Sequence, residues 1–510
     1  MTTRRTILAA GAATAVASAV GVAAAAAPAA DAAPAARNPT QLVPADPIAH
    51  LLRRATFGAT PASLAEARKL GVAGWLDRQL DPTSITDGVC GGVLARLPLA
   101  GASIATVRSS IAKNSYEAVK QLGRAAVARA AWSDRQLFEV TAAFWANHLH
   151  IAAPSSGVWD SRSDYEAQVI RKHTFGRFAD MLKASMKHPA MLTYLDNRSS
   201  TQDHPNENYA RELMELHTIG LTYTEQDVYA AAKLLTGLTV ANTTGAYLYA
   251  SARHVTGAVE IAGFEHANAT AAVGETAALA LADHLARHPE TAKRLATKLC
   301  RRFVADEAPA ALVAVLAKVY LDNDTAIKPV LKALFTSPEF AASIGQKSRT
   351  PFEDLIATIR TLGLRPETSG VKALDALYNG LVNAGNAPYR WSPPNGFPDV
   401  AAAWASPSGF LMRCNNHLNL AAGWYPTQLS RPADLLKSLV PTLPGTYGAL
   451  VDALAVRLIG AKLPAAHTAA VLSVAGKLPT SPLTASDKSL AGHAPYLIAL
   501  VLDAPSFQLR

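Results

Sequence analysis

The stretch "SDRQLFEVTAAFWANHLHI", Ser133–Ile151, decides the fold class. Leu137, Val140, Phe144 and Leu149 fall on one stripe of a helix with its apolar face turned inward. The same periodicity recurs in both directions. "TPASLAEARKLGVAGWLDRQL" places Thr60 as a cap and Pro61 in the first turn, with Leu64, Ala67 and Leu70 on its stripe. "DHLARHPETAKRLATKLCRRFV", "DLIATIRTLGL" and "GFLMRCNNHLNLAAGW" repeat the pattern, with short Gly, Pro and Asp punctuation between helices. The expectation is an all-α, multi-helix body. One region breaks the rule: Leu238–Phe264 is rich in Thr, Val, Tyr and Gly, with turn signals at Thr244-Gly245 and Thr256-Gly257. It reads as one or two β-hairpins inserted between helices.

No repeat and no Pro-, Ser- or Gly-rich linker divides residues 36–510, so one large helical domain or two packed helical lobes is expected, the second over about 350–510. The first 35 residues read as an export signal. Arg4 and Arg5 precede an apolar run from Ile7, and small residues offer cleavage after Ala32 or Ala35. The Thr-Arg-Arg-x-Ile-Leu order fits the twin-arginine route, which carries folded cargo and so admits a cofactor or divalent metal loaded before export. The expected location is secreted or cell-wall associated. No later segment is long and apolar enough to span a bilayer.

The formal net charge is +9, and no run of lysine or arginine concentrates it, so nucleic-acid binding has no support. Cys90, Cys300 and Cys414 are odd in number and widely spaced, and none of the spacings suits a zinc knuckle. Cys300 reads as buried helix filler. Glycine-rich phosphate loops and the G-x-S-x-G elbow are absent.

"NENYARELMELHTIG", Asn206–Gly220, is the densest polar writing in the chain. On a helix, Asn208, Arg211, Glu212, Glu215 and Ile219 share one broad strip, and Arg211 can pair with Glu207 and Glu215 one turn away. Such pairs add only about 0.2–0.5 kcal/mol each on an exposed helix, a weak reason to assemble so many. Two readings compete. In one the helix is an ion-paired clasp between neighbouring segments. In the other, Arg211, Glu212 and Glu215 are catalytic groups, and His148, His173 and His217 hold a divalent metal between helices. Asn208, Asp196 and Trp391 would then contact a ligand. Neither H-E-x-x-H nor the Glu-x-x-His of di-iron bundles is present. "YRWSPPNGFPDVAAAW", Tyr389–Trp404, either stacks a sugar ring on its aromatics or packs as an irregular loop closing the core.

Taken together, "HLLRRATFGATPASL", "FWANHLHI", "DYEAQVIRKHTFGRFADML", "AMLTYLDN", "NENYARELMELHTIGLTYTEQDV" and "SPPNGFPDV" resemble, in this order, the bacterial domain of unknown function 1800 family. The likeness spans nearly the whole chain and is most specific over Asn206–Asp227. It implies an exported helical protein without a settled activity. Because many members are encoded beside alkaline-phosphatase-like proteins, it also implies a partner of that class. Trp145, Asn147, His148, Asp164, Arg171, His173, Asp196, Asn197, Asn206, Glu207, Asn208, Arg211, Glu212, Glu215, Thr218 and Gly220 match the family pattern. Ala146 stands where a histidine is usual, "HVTGAV" around His254 lacks the usual aspartate and lysine, and Phe397 replaces a common Val-Ala-Gly-Trp turn. The functional expectations are a metal-assisted enzyme acting on wall or extracellular polymer, or a non-catalytic envelope protein that binds a partner or glycan.

Overall fold

Helix starts in this chain are written in short side chains. In the computed structural model, which describes residues 42–510, Asp46 accepts the backbone N–H groups of Ile48 and Ala49 to open the helix Pro47–Ala55. Thr60 and Ser63 exchange bonds in a capping box at the head of Pro61–Gln79, where proline takes the first helical position. Thr224 with Asp227, and Thr350 with Glu353, do the same for Glu225–Leu234 and Pro351–Thr361. The export signal read over residues 1–35 lies outside the described residues.

The body is α-helical around one continuous apolar core. Leu137, Val140, Phe144 and Leu149, the stripe expected to face inward, are all buried. Ala67 is buried too, but Leu70 is 38 % exposed. The reason is Gly71, whose left-handed φ of 69° interrupts the helix immediately after Leu70 and ends the stripe there. Helices after residue 350 pack on those before it: the Arg360 side chain donates to Gly58 O at 2.6 Å and Ala131 O at 2.9 Å, and Trp132 Nε1 donates to Leu364 O at 3.0 Å.

The β region consists of two antiparallel hairpins. Leu238–Val240 pairs with Tyr247–Tyr249, turning near Gly245 as expected. Val259–Ile261 pairs with Phe264–His266, and its turn is Ala262-Gly263 rather than Thr256-Gly257. Gly257 instead donates its N–H to Asn268 O and extends the ladder of this second hairpin. All three cysteines are free, with Cys90 and Cys300 buried. No helix among the described residues is long and apolar enough to cross a membrane.

Candidate functional site

The polar helix begins where its sequence says. Asn206 caps it through the Asn208 N–H, and its amide donates to Asp196 O at 2.8 Å. The Asn208 amide donates to Leu195 O at 3.2 Å. Asp196 is exposed in a left-handed conformation and accepts the Ser199 hydroxyl. Both asparagines therefore fasten the helix to the 195–196 corner.

After Glu212 the helix widens into a π-turn, Leu213–His217. This extra residue per turn rotates Glu215 away from Arg211 and breaks the expected four-residue spacing. Glu215 accepts the Tyr223 hydroxyl at 2.7 Å instead. Arg211 meets both oxygens of Glu225 at 2.9 and 2.8 Å and reaches Glu207 at 3.4 Å. The pairing with Glu215 is thus replaced by a fork onto the next helix, among side chains exposed enough to be screened. An Arg211→Ala substitution is expected to cost under about 1 kcal/mol by chemical denaturation, as for other exposed pairs.

The three histidines expected to hold a metal do not gather. His148 and His217 are neighbours: His148 Nε2 lies 3.0 Å from His217 O, and Lys298 Nζ lies 2.9 Å from His148 Nδ1. Burial, then the Lys298 charge, holds His148 well below its ordinary value and His217 down to about 3. His173 is half-buried elsewhere, and its charged neighbours are Lys172 and Asp180. Among the described residues no three His, Cys, Asp or Glu side chains form a group that could hold a metal ion. Of the other residues matching the family pattern, Asp164 accepts from His188 at 3.1 Å, and the Asn197 amide donates to Leu235 O and Leu238 O.

The convergence of charge lies one helix away. A cavity of about 160 Å³ opens between the helices Glu117–Trp132 and Gln136–His148 and the 386–404 segment. Its wall is mainly apolar: Phe57, Phe144, Phe352, Tyr389, Phe397 and Trp404. Trp391 packs at a tilt on Phe397, with ring centroids 5.2 Å apart, and Phe397 lies 5.9 Å from Trp404, so the expected aromatic loop forms one side. Trp391 itself supports the wall from behind, its carbonyl bonded to His150 Nε2 at 2.7 Å. Asn147 pins this loop, donating to Phe397 O at 2.9 Å and accepting from Phe397 N at 2.7 Å. Gly396 sits at φ 74°, and a Cβ there would stand 2.2 Å from Asn147 O, so only glycine fits. Tyr389 holds a left-handed φ of 67°, rare for a bulky residue, beneath the Arg162 guanidinium at 4.3 Å.

Charges set into this wall are matched in pairs, with one exception. Glu139 takes both forks of Arg171 at 2.7 and 2.8 Å, Glu166 pairs with Arg162 at 3.1 Å, and Glu353 pairs with Arg302 at 2.6 Å. Burial pushes Glu139 up, but the charges of Arg171 and Arg129 outweigh it and hold the carboxyl below its usual range. Arg129 has no hydrogen-bond or ion-pair partner among the described residues, and its Nε is buried and unsatisfied. Burial, then Arg171 nearby, lowers its affinity for a proton. His150, lining the same wall, is pushed down to about 4 by burial and is neutral.

Neither Arg129 nor Glu139 stood out beside the crowded 206–217 helix. The available signal was a lone charge inside a greasy run: Arg129 in "AAVARAAW" and Glu139 in "LFEV". Ala146 and Phe397, where the sequence departs from the family pattern, both line the cavity.

Fold and site together define a mainly α-helical protein enclosing a small, charge-lined, aromatic-walled cavity. The chain belongs to the family described as Protein of unknown function (DUF1800), whose model matches residues 50–509. No curated protein and no solved structure matches it.

Proposed function

We propose that this chain is an exported envelope protein that binds a ring-bearing anionic group, such as a sugar acid of a wall or extracellular polymer, in the Arg129 cavity. The observation that carries the reading is the unpartnered Arg129 guanidinium, facing a space whose acids are already neutralised. Burying an unpaired cation is costly, and a charge retained at such a cost points to a ligand that completes it. Phe397 and Trp404 offer faces for a ring, while Arg129 offers a fork for a carboxylate or phosphate. At about 160 Å³ the cavity is smaller than the roughly 300–1,000 Å³ of pockets for drug-sized ligands. It suits one ring or a terminal group, with the remaining polymer outside. This favours a binding protein whose 206–217 helix is a structural clasp over a metal-assisted enzyme centred on that helix.

The test is calorimetry of the mature protein with galacturonic and muramic acids, against galactose and glucosamine. Binding of an acid and not its neutral counterpart is expected. Arg129→Met should weaken it about 30-fold or more, since leaving a buried charge unpaired costs 2–5 kcal/mol. The same substitution should leave thermal stability equal or higher, because it removes an unpaired charge. Equal binding of acidic and neutral sugars by both proteins, or no binding at all, would overturn the proposal.

A further inference from the structure

A second group of cations lacks counterparts beside the end of the polar helix. Arg294 and Lys298 sit one turn apart on the helix Pro289–Phe303, and neither forms an ion pair among the described residues. Arg294 reaches Leu216 O at 3.4 Å through one Nη, while its Nε is buried without a partner. Lys298 donates to His148 Nδ1 at 2.9 Å. The tautomer of His148 decides what that contact is worth. Its Nε2 faces the His217 carbonyl, which can only accept, so the ring proton is on Nε2 and Nδ1 is a bare lone pair. His148 therefore accepts a hydrogen bond from Lys298 but brings no charge to offset the ammonium.

His217 supplies an independent sign. It is 1 % exposed, and neither ring nitrogen has a partner. Whichever nitrogen carries the proton, one N–H donor is left buried and unmade, at a cost of about 1–3 kcal/mol. The charges of Lys298 and Arg294 both act on this imidazole, so the three groups share one neighbourhood. Gly220 lets the guanidinium in: at φ 74°, a Cβ there would stand 3.1 Å from Arg294 Nη1. The acids that act here, Glu215 on Arg294 and Asp399 on Lys298, do so without forming ion pairs.

We infer that the junction between the 213–220 turn and the helix Pro289–Phe303 binds a compact oxyanion, a carboxylate or a phosphate group, through Lys298, Arg294 and the ring N–H of His217. An oxyanion there balances both cations and satisfies the orphan donors in one step. A proton should be taken up on binding. Burial, then Arg294 and Arg301, lowers the Lys298 ammonium to about 7, and an arriving anion reverses that penalty. Burial and the two cations hold His148 and His217 neutral.

Titration of the full chain with inorganic phosphate and with acetate, against chloride at constant ionic strength, tests the site independently of the Arg129 cavity. A saturable rise in melting temperature with phosphate or acetate, absent with chloride, is expected. Lys298→Met should weaken that affinity at least tenfold, and Arg294→Gln provides a second variant. In both, acidic sugars should bind the Arg129 cavity as in the parent. Calorimetry with acetate, which is fully ionised at pH 7, in buffers of different ionisation enthalpy should show proton uptake that Lys298→Met abolishes. The inference is overturned if phosphate and acetate act no differently from chloride, or if both variants respond like the parent.

Discussion

A His417→Ala protein is expected to unfold at much lower denaturant than the parent near pH 6, and the difference between the two should shrink in alkali. His417, fully buried on the helix Pro407–Ala422, joins Asp354 of the helix Pro351–Thr361 to Asp503 at the end of Leu490–Leu502. Its Nδ1 lies 2.7 Å from Asp503 and its Nε2 lies 3.0 Å from Asp354. Carboxylates only accept, so both ring nitrogens carry protons and the group is an imidazolium. Burial pulls His417 down, but the Asp354 charge and bond, followed by those of Asp503, overcome it and raise the ring to about 9. Asp354 is correspondingly held below its usual range: burial raises it, and the His417 charge outweighs that.

The sign follows from the raised value. Below pH 6.5 the ring is charged in both folded and unfolded chains, and the clasp contributes fully. Between 6.5 and about 9 the unfolded chain is already neutral, so the contribution drains away as pH rises. The shift corresponds to something on the order of 3 kcal/mol. Removing the ring outright leaves Asp354 buried without its partner, which costs about 3–5 kcal/mol. Urea unfolding at pH 6, 7.5 and 9 should show the stability gap between parent and His417→Ala narrowing across the series, because the other buried bases contribute alike to both proteins. A gap that does not narrow would remove the imidazolium assignment. The double variant Asp354→Leu/His417→Met should recover much of the loss, since replacing a whole buried pair is gentler than halving it.

The all-α architecture was legible because it is local. Leu137, Val140 and Phe144 recur at helical spacing, and Thr60 with Pro61 announces a helix start within two residues. The polar helix was legible as an element for the same reason, its Asn206 cap included. Its partners were not. Glu225, which takes Arg211, arrives from the following helix, and the π-turn that removes Glu215 has no spacing signature. Leu70 shows the same limit on a small scale, because one left-handed glycine ended a stripe that composition would have continued. The cavity was harder still. Glu139 meets Arg171 from 32 residues away, and Arg302 meets Glu353 across two helices, so each looks like an isolated charge in an apolar run. Such lone charges were the visible trace of the site, outshone by a richer cluster that is mostly half-buried.

Substituting Glu353 should have the second large effect, and it links stability to the cavity. Glu353 caps its own helix by accepting the Thr350 N–H at 3.0 Å, and its other oxygen faces Arg302 at 2.6 Å and Arg510 at 2.9 Å. Around it, Lys347 meets Asp306 at 2.6 Å and Asp399 at 3.3 Å. Three cations are thus balanced by three acids in the interior. Glu353→Ala leaves a net buried positive charge and an open helix cap, an expected loss of about 3–5 kcal/mol by urea unfolding. Glu353→Gln retains an oxygen for the cap and should cost less. Burial pushes this carboxyl up, but Arg302 and Arg510 outweigh it and bring it down to about 2. Its contribution is therefore complete above pH 4.5 and lost as pH falls from there toward 2, a slope Glu353→Gln should flatten. Because Glu353 and Arg302 both line the cavity, neutralising the acid also adds positive potential beside Arg129. Glu353→Gln should bind an acidic sugar more tightly than the parent while unfolding more easily. Equal or weaker binding by a folded Glu353→Gln protein would count against anion recognition in that cavity, whatever happens to its stability.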